Sequence, residues 1–114
     1  MKQDEILRIL LPEGILNFFT VTQIENTPAL YKIFLEEKNI PPEDFKGKLV
    51  SKGFYEPISI QDFPLRGKAC FLKVKRRRWT NLETGEIVSR NWDIVAKGTR
   101  MTSEFAAFLK AINR

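Results

Sequence analysis

The spacing of hydrophobic and polar residues changes along the chain, and each change marks an element. Near the start, Ile6, Leu7 and Leu10 form an apolar stripe, with Asp4 placed to cap it, so a short helix is expected over 4–10. Pro12 interrupts that helix, because proline lacks the amide hydrogen an interior turn needs. A second short helical piece is expected over 13–18. Thr20, Val21, Thr22 and Ile24 then favour an extended segment over 20–25. Residues 27–38 fit two patterns. Leu30, Ile33 and Phe34 keep helical spacing after Thr27-Pro28, whereas Tyr31, Ile33 and Leu35 alternate as in a strand. The strand is the preferred reading.

Pro41-Pro42 and Gly47 make 39–48 a connector. Residues 49–60 read as one extended segment, interrupted by Gly53 and Pro57 and therefore expected at a sheet edge. Residues 62–67 read as a turn. The clearest alternation follows over 69–79. Cys70, Leu72 and Val74 fall on one face, and Lys73, Lys75 and Arg77 on the other. Residues 80–86, with Gly85, close a hairpin whose second strand is expected over 87–95. Beyond Gly98, Thr102 is placed to cap a helix and Glu104 lies in its first turn. Phe105, Phe108, Leu109 and Ile112 share one face of that helix. The expected fold is α+β: short N-terminal helices, an antiparallel β-sheet with a basic hairpin, and a C-terminal amphipathic helix.

With 114 residues, 43% of them hydrophobic, the chain suits a single domain over 1–114 with one core. Its charge is uneven. The net +5 hides a first part, residues 1–63, with seven Lys/Arg against ten Asp/Glu, and a stretch, 64–100, with ten Lys/Arg against three acids. The domain therefore divides into an acidic α/β part, 1–46, and a basic antiparallel β part with the C-terminal helix, 47–114. A solvated sheet face explains scattered lysines. Three successive arginines, Arg76-Arg77-Arg78, suit phosphates and base edges better.

The residue types exclude much chemistry. The chain has no histidine and one cysteine, so no internal disulfide, Cys/His zinc site or histidine-activated nucleophile can be assembled. Cys70 lies in an apolar stretch and reads as a small core residue. Glycines are scattered singly, with no phosphate-binding loop. No acidic pair has metal or acid/base spacing, so no enzymatic activity, cofactor or metal is expected. No apolar run is long enough for a membrane helix, and Asp4 and Glu5 are wrong for a secretory signal, which gives a cytoplasmic expectation. The positive feature is the set Lys73, Lys75, Arg76, Arg77, Arg78 and Arg90 on the expected hairpin, with Lys97 and Arg100 beyond it. Trp79 and Trp92 lie beside the cluster, where base stacking competes with core packing as their role.

The stretch Lys52-Gly53-Phe54-Tyr55-Glu56-Pro57-Ile58-Ser59-Ile60-Gln61-Asp62-Phe63-Pro64-Leu65-Arg66-Gly67-Lys68, continuing through Lys75-Arg76-Arg77-Arg78-Trp79-Thr80-Asn81 and Glu83-Thr84-Gly85-Glu86-Ile87-Val88, resembles the N-terminal region of bacterial insertion-sequence transposases of the DDE type. Residues 95–109 and Leu10-Leu11-Pro12-Glu13-Gly14-Ile15-Leu16 resemble the same family. The resemblance implies a region that binds the terminal repeats of a mobile element, beside or upstream of a catalytic domain. Related transposases share the arrangement of Asp62, Pro64, Gly67 and an arginine run, followed by a cysteine zinc ribbon. The hairpin here has no zinc cysteines and is expected to hold by packing alone.

The function expected is that of a non-catalytic DNA-binding region. Lys73, Lys75, Arg76, Arg77, Arg78, Arg90, Lys97, Arg100 and Trp79 are its candidate nucleic-acid contacts. Neutralising about six phosphates would make log affinity fall against log salt with a slope of about −5. The alternative is a protein-interaction module that docks a catalytic transposase subunit, or a second copy in a homo-oligomer, through the C-terminal helix. A stand-alone regulator of transposition would use the same DNA contacts.

Overall fold

The computed structural model describes residues 3–42, 48–90 and 100–112, with side chains from residue 5 onward. The capping side chain of Asp4, Trp92, Lys97 and most of the return strand expected over 87–95 lie outside the described residues. The fold is α+β. Its elements are α1 (Gln3–Leu10), α2 (Ile15–Phe18), β1 (Phe19–Asn26), β2 (Leu30–Glu37), β3 (Leu49–Phe54), β4 (Ile58–Leu65), β5 (Lys68–Lys75), β6 (Arg77–Asn81), β7 (Ile87–Val88) and α3 (Ser103–Ile112). Both helical pieces before residue 19 are present. The ambiguous segment after Thr27 is the strand β2.

Two sheets form. The larger has the order β1-β2-β5-β4 and the smaller β3-β6-β7. β1/β2, β4/β5, β3/β6 and β6/β7 are antiparallel. The central pair β2/β5 is parallel, with Ile33 opposite Leu72 and Leu35 opposite Val74. The sheets are dominated by antiparallel pairing, as expected, with this one parallel pair that the sequence pattern did not show. Alternation shows which side chains share a face, but it is identical for parallel and antiparallel neighbours.

Strands β4 and β5 form a hairpin closed by Arg66 (φ 53) and Gly67 (φ 78). Two successive positive φ values define the tight hairpin turn whose twist matches that of its strands. The turn expected over 62–67 is therefore only these two residues. The hairpin's two long strands continue, past a break, as β3 and β6. Pro57 has no amide hydrogen to donate, and it lies where β3 and β4 separate. The segment 49–60, expected as one edge strand, is two strands in two sheets, each at a sheet edge. Across the break the Tyr55 amide still donates to the Arg76 carbonyl at 2.8 Å. The strand expected over 69–79 likewise divides at Arg76 between the two sheets. Lys73 and Lys75 consequently lie on β5, between β2 and β4, while Arg77 and Arg78 lie on β6, between β3 and the short return strand β7.

One face of the larger sheet carries the core. Ile33, Leu35, Ile60, Cys70, Leu72 and Val74 are each at most 5% exposed, and Leu11, Ile15, Leu16 and Phe19 close over them. Gly14 makes that lid possible: its φ of 83° turns the chain into α2, a conformation glycine adopts without strain. The charge boundary near residue 46 is not a structural one, because β2 from the acidic part is sandwiched between β1 and the basic strand β5.

α3 is fixed to the outer edge of β4. Thr102 donates its hydroxyl to Asp62 Oδ1 at 2.8 Å and accepts the Phe105 amide at 3.2 Å, which makes it the expected N-cap. Gln61 donates to the Arg100 carbonyl and accepts from the Thr102 amide. Glu104 accepts the Glu13 amide at 3.0 Å, joining α3 to the α2 entrance. The Phe63 ring packs against Phe105 and Phe108 at 5.2 and 5.4 Å. Phe105 is buried, so the apolar face is only partly available for docking: Phe108 and Ile112 stay exposed. No helix among the described residues is long and apolar enough to cross a membrane.

Candidate nucleic-acid interface

The arginine run straddles the break between the sheets, and two aromatic residues from the facing strand divide it. Phe54 and Tyr55 are consecutive, so their rings point to opposite sides. Gly53, at φ 92°, permits the register shift between Ser51 and Phe54 that aligns Phe54 with Arg77. On one side Lys75 and Arg77 lie over the Phe54 ring, at 5.7 and 4.5 Å from its centroid. On the other, Arg76 and Arg78 lie over Tyr55, at 4.9 and 5.5 Å. Alternation thus survives through 75–78, but it sends the cations to two faces rather than one.

The two faces are used differently. Glu37, 2% exposed at the end of β2, accepts the Arg77 amide through Oε1 at 2.9 Å. Its carbonyl accepts Arg77 Nε at 3.1 Å, and Arg77 Nη1 donates to Ser51 Oγ at 2.6 Å. Arg90 approaches the same carboxylate at 4.0 Å, donates to the Ile40 and Pro41 carbonyls, and stacks over Phe18 at 4.4 Å. Arg77 and Arg90 are therefore structural cations that join the sheets around a buried carboxylate. Sequence reasoning placed both among the DNA contacts and gave Glu37 no role. The one clue to Glu37 was its place at the inward-facing end of the Ile33-Leu35-Glu37 alternation.

Arg76 and Arg78 have no carboxylate within ion-pair distance among the described residues. Beyond Tyr55, the contact recorded for their guanidinium groups is a long bond from Arg78 Nη2 to the Lys52 carbonyl at 3.4 Å. The Nε of each is shielded without a hydrogen-bond partner, so the ring face is what holds them in place. Lys75 is exposed, and Lys73 is half-buried on the solvent-facing side of β5. Lys52 is exposed nearby on β3. Arg100 is exposed beside β4, and no described contact joins it to the arginine run.

Trp79 must be corrected. It has no accessible surface, and its Nε1 donates to Asn39 Oδ1 at 2.9 Å. With Val88 it fills the inner side of the smaller sheet, so a base cannot stack on it. Cys70, 1% exposed, is the core residue expected; burial, with the nearby Asp62 charge adding to it, pushes its thiol up to about 11. Asp62 itself is held above the usual carboxylate range by burial, which outweighs the bonds from Thr102 and the Phe63 backbone. No group of three or more potential metal ligands lies together among the described residues.

Comparison of the chain with protein-family models, curated proteins and solved structures finds no match.

Proposed function

We propose that this chain is a non-catalytic DNA-binding module, of the kind that forms the N-terminal region of an insertion-sequence transposase and contacts the terminal repeats of the element. The observation that carries the reading is the pair Arg76 and Arg78, side by side on Tyr55 with no acidic partner among the described residues. Holding an arginine on an aromatic face limits its rotamers while leaving its planar donor edge available for phosphate oxygens. Lys52, exposed nearby on β3, adds charge beside it, whereas Lys73 and Lys75 lie on the other face. Arg77 and Arg90 keep the strands in place and contact no phosphate.

The test is duplex DNA binding by Arg76→Glu/Arg78→Glu. Loss of binding with an unchanged circular dichroism spectrum supports the reading, and full retention rejects it. A second reading has one observation in its favour: Phe108 and Ile112 leave an apolar strip exposed on α3. In that case the module docks a catalytic subunit or a second copy. Phe108→Asp would then abolish pairing in analytical ultracentrifugation while sparing DNA binding.

A further inference from the structure

The core covers one face of the larger sheet; on the other, α3 packs against Phe63 at the β4 edge, and the rows that carry Phe34 and Phe71 stay partly exposed. The strand registers give that open face an ordered composition. Across β1, β2, β5 and β4, its central row is Gln23, Phe34, Lys73 and Ser59. The row beside it is Glu25, Lys32, Phe71 and Gln61. Ring and ammonium therefore alternate in both directions: Phe34 faces Lys73 across the parallel pair, and Phe71 faces Lys32. Both phenylalanines are partly exposed, and neither belongs to the buried core cluster. An open groove whose lining includes Lys32, Phe34, Glu36, Pro57, Lys73 and Lys75 crosses this face.

From this pattern we infer that the open face binds an unpaired DNA strand, with bases stacked on Phe34 and Phe71 and phosphates on Lys73 and Lys32. Glu25 lies opposite Lys32 and Glu36 opposite Lys75. Glu25 shares the second row and Glu36 lines the groove, each opposite a lysine, and the central row holds no carboxylate. An apolar protein partner would require a continuous apolar patch, whereas here every ring is flanked by an ammonium. A nucleic-acid strand alternates flat apolar bases with anionic phosphates, which matches that spacing of rings and charges. Residues i and i+2 on a strand lie roughly 7 Å apart and neighbouring strands about 5 Å apart. The two rings are therefore diagonal neighbours, near enough for successive bases. Stacking of this kind tolerates any sequence, because every base has a π-face. The inference rests on the DNA-binding reading above and adds a second surface to it: the Tyr55 ridge holds duplex, and the sheet face holds a single strand.

The experiment is fluorescence anisotropy of the full chain with a fluorescein-labelled oligothymidine and, separately, with a labelled duplex. Phe34→Leu and Phe71→Leu keep apolar bulk and so preserve the sheet, while removing the π-face. Each is expected to weaken oligothymidine binding about tenfold, within the range for loss of one base stack, and to leave duplex binding unchanged. Phe34→Trp is expected to restore or exceed the original affinity. If Phe34→Leu/Phe71→Leu binds oligothymidine as the parent does while Arg76→Glu/Arg78→Glu loses the duplex, the inference fails and the DNA-binding reading stands. If the parent chain binds neither probe at low salt, both fail.

Discussion

Glu37 holds Arg77 by its carboxylate and by its backbone carbonyl: Oε1 accepts the Arg77 amide at 2.9 Å, and the Glu37 carbonyl accepts Arg77 Nε at 3.1 Å. The pairing of β2 with β5 has run out at this point, since its last register partner there is Lys75, opposite Glu36, although Glu37 still pairs with Phe19 of β1. The Glu37 side chain takes over the amide where β6 leaves the larger sheet. Removing a buried carboxylate that serves two half-buried cations leaves their charges uncompensated. Glu37→Ala is expected to lower stability in urea denaturation by roughly 3 kcal/mol. Glu37→Gln, which keeps an acceptor for the amide, is expected to lose less. Equal losses for the two variants would show that charge contributes nothing at the junction.

Asp62 supplies a pH signature. Burial raises its pKa above the ordinary 3.8. The folded state therefore binds the proton more tightly than the unfolded state does. Between 3.8 and the raised folded value, stability falls as pH rises, and the deficit persists at neutral pH. Asp62→Asn keeps an oxygen to accept the Thr102 hydroxyl and removes the charge. Thermal melts should place this variant a few degrees above the parent at neutral pH, with the gap closing by about pH 3, where both states of the parent are protonated. A variant less stable than the parent at neutral pH would contradict this sign.

Thr102 serves both the α3 cap and Asp62. Thr102→Ala should cost about 1–2 kcal/mol, the sum of a lost cap and a lost buried hydrogen bond. It should also speed amide hydrogen exchange in α3 before the strands are affected. Thr102→Ser, which keeps the hydroxyl, should restore most of the protection.

Cys70 provides a simple probe of the core. Its thiol is 1% exposed and is pushed up to about 11, so little thiolate exists at moderate pH and reagents cannot reach it. A disulfide reagent at about pH 8 should leave the native protein unmodified and titrate one thiol per chain in denaturant. Rapid reaction of native protein would show that the β5 core face opens readily.

Much of the fold was legible in the sequence because burial imposes period two on strands and 3.6 on helices. Cys70, Leu72 and Val74 face the core as their alternation required, and Thr102 caps α3 as its position before Glu104 suggested. The parallel pairing of β2 with β5 was not legible, since it depends on a crossover between segments some forty residues apart. Nor was the division of the arginine run. That depends on Phe54 and Tyr55, which reach residues 75–78 only through cross-strand register. Trp79 was misplaced for a related reason: an aromatic beside three arginines looks like a stacking group until the inward side of its strand is known. Composition singled out Arg76 and Arg78, but it could not separate them from Arg77 and Arg90, whose charges are met by a carboxylate outside the basic region.

That separation is also what the most direct measurement tests. With Lys52, Arg76 and Arg78 as the duplex phosphate contacts, log affinity for duplex DNA should fall against log salt with a slope of about −2.7, shallower than the slope of about −5 expected were Lys73, Lys75, Arg76, Arg77, Arg78 and Arg90 all to contact phosphate. Arg76→Gln/Arg78→Gln should reduce that slope by about 1.8 with the fold intact. A slope unaffected by these two substitutions, or no binding at low salt, would contradict the account.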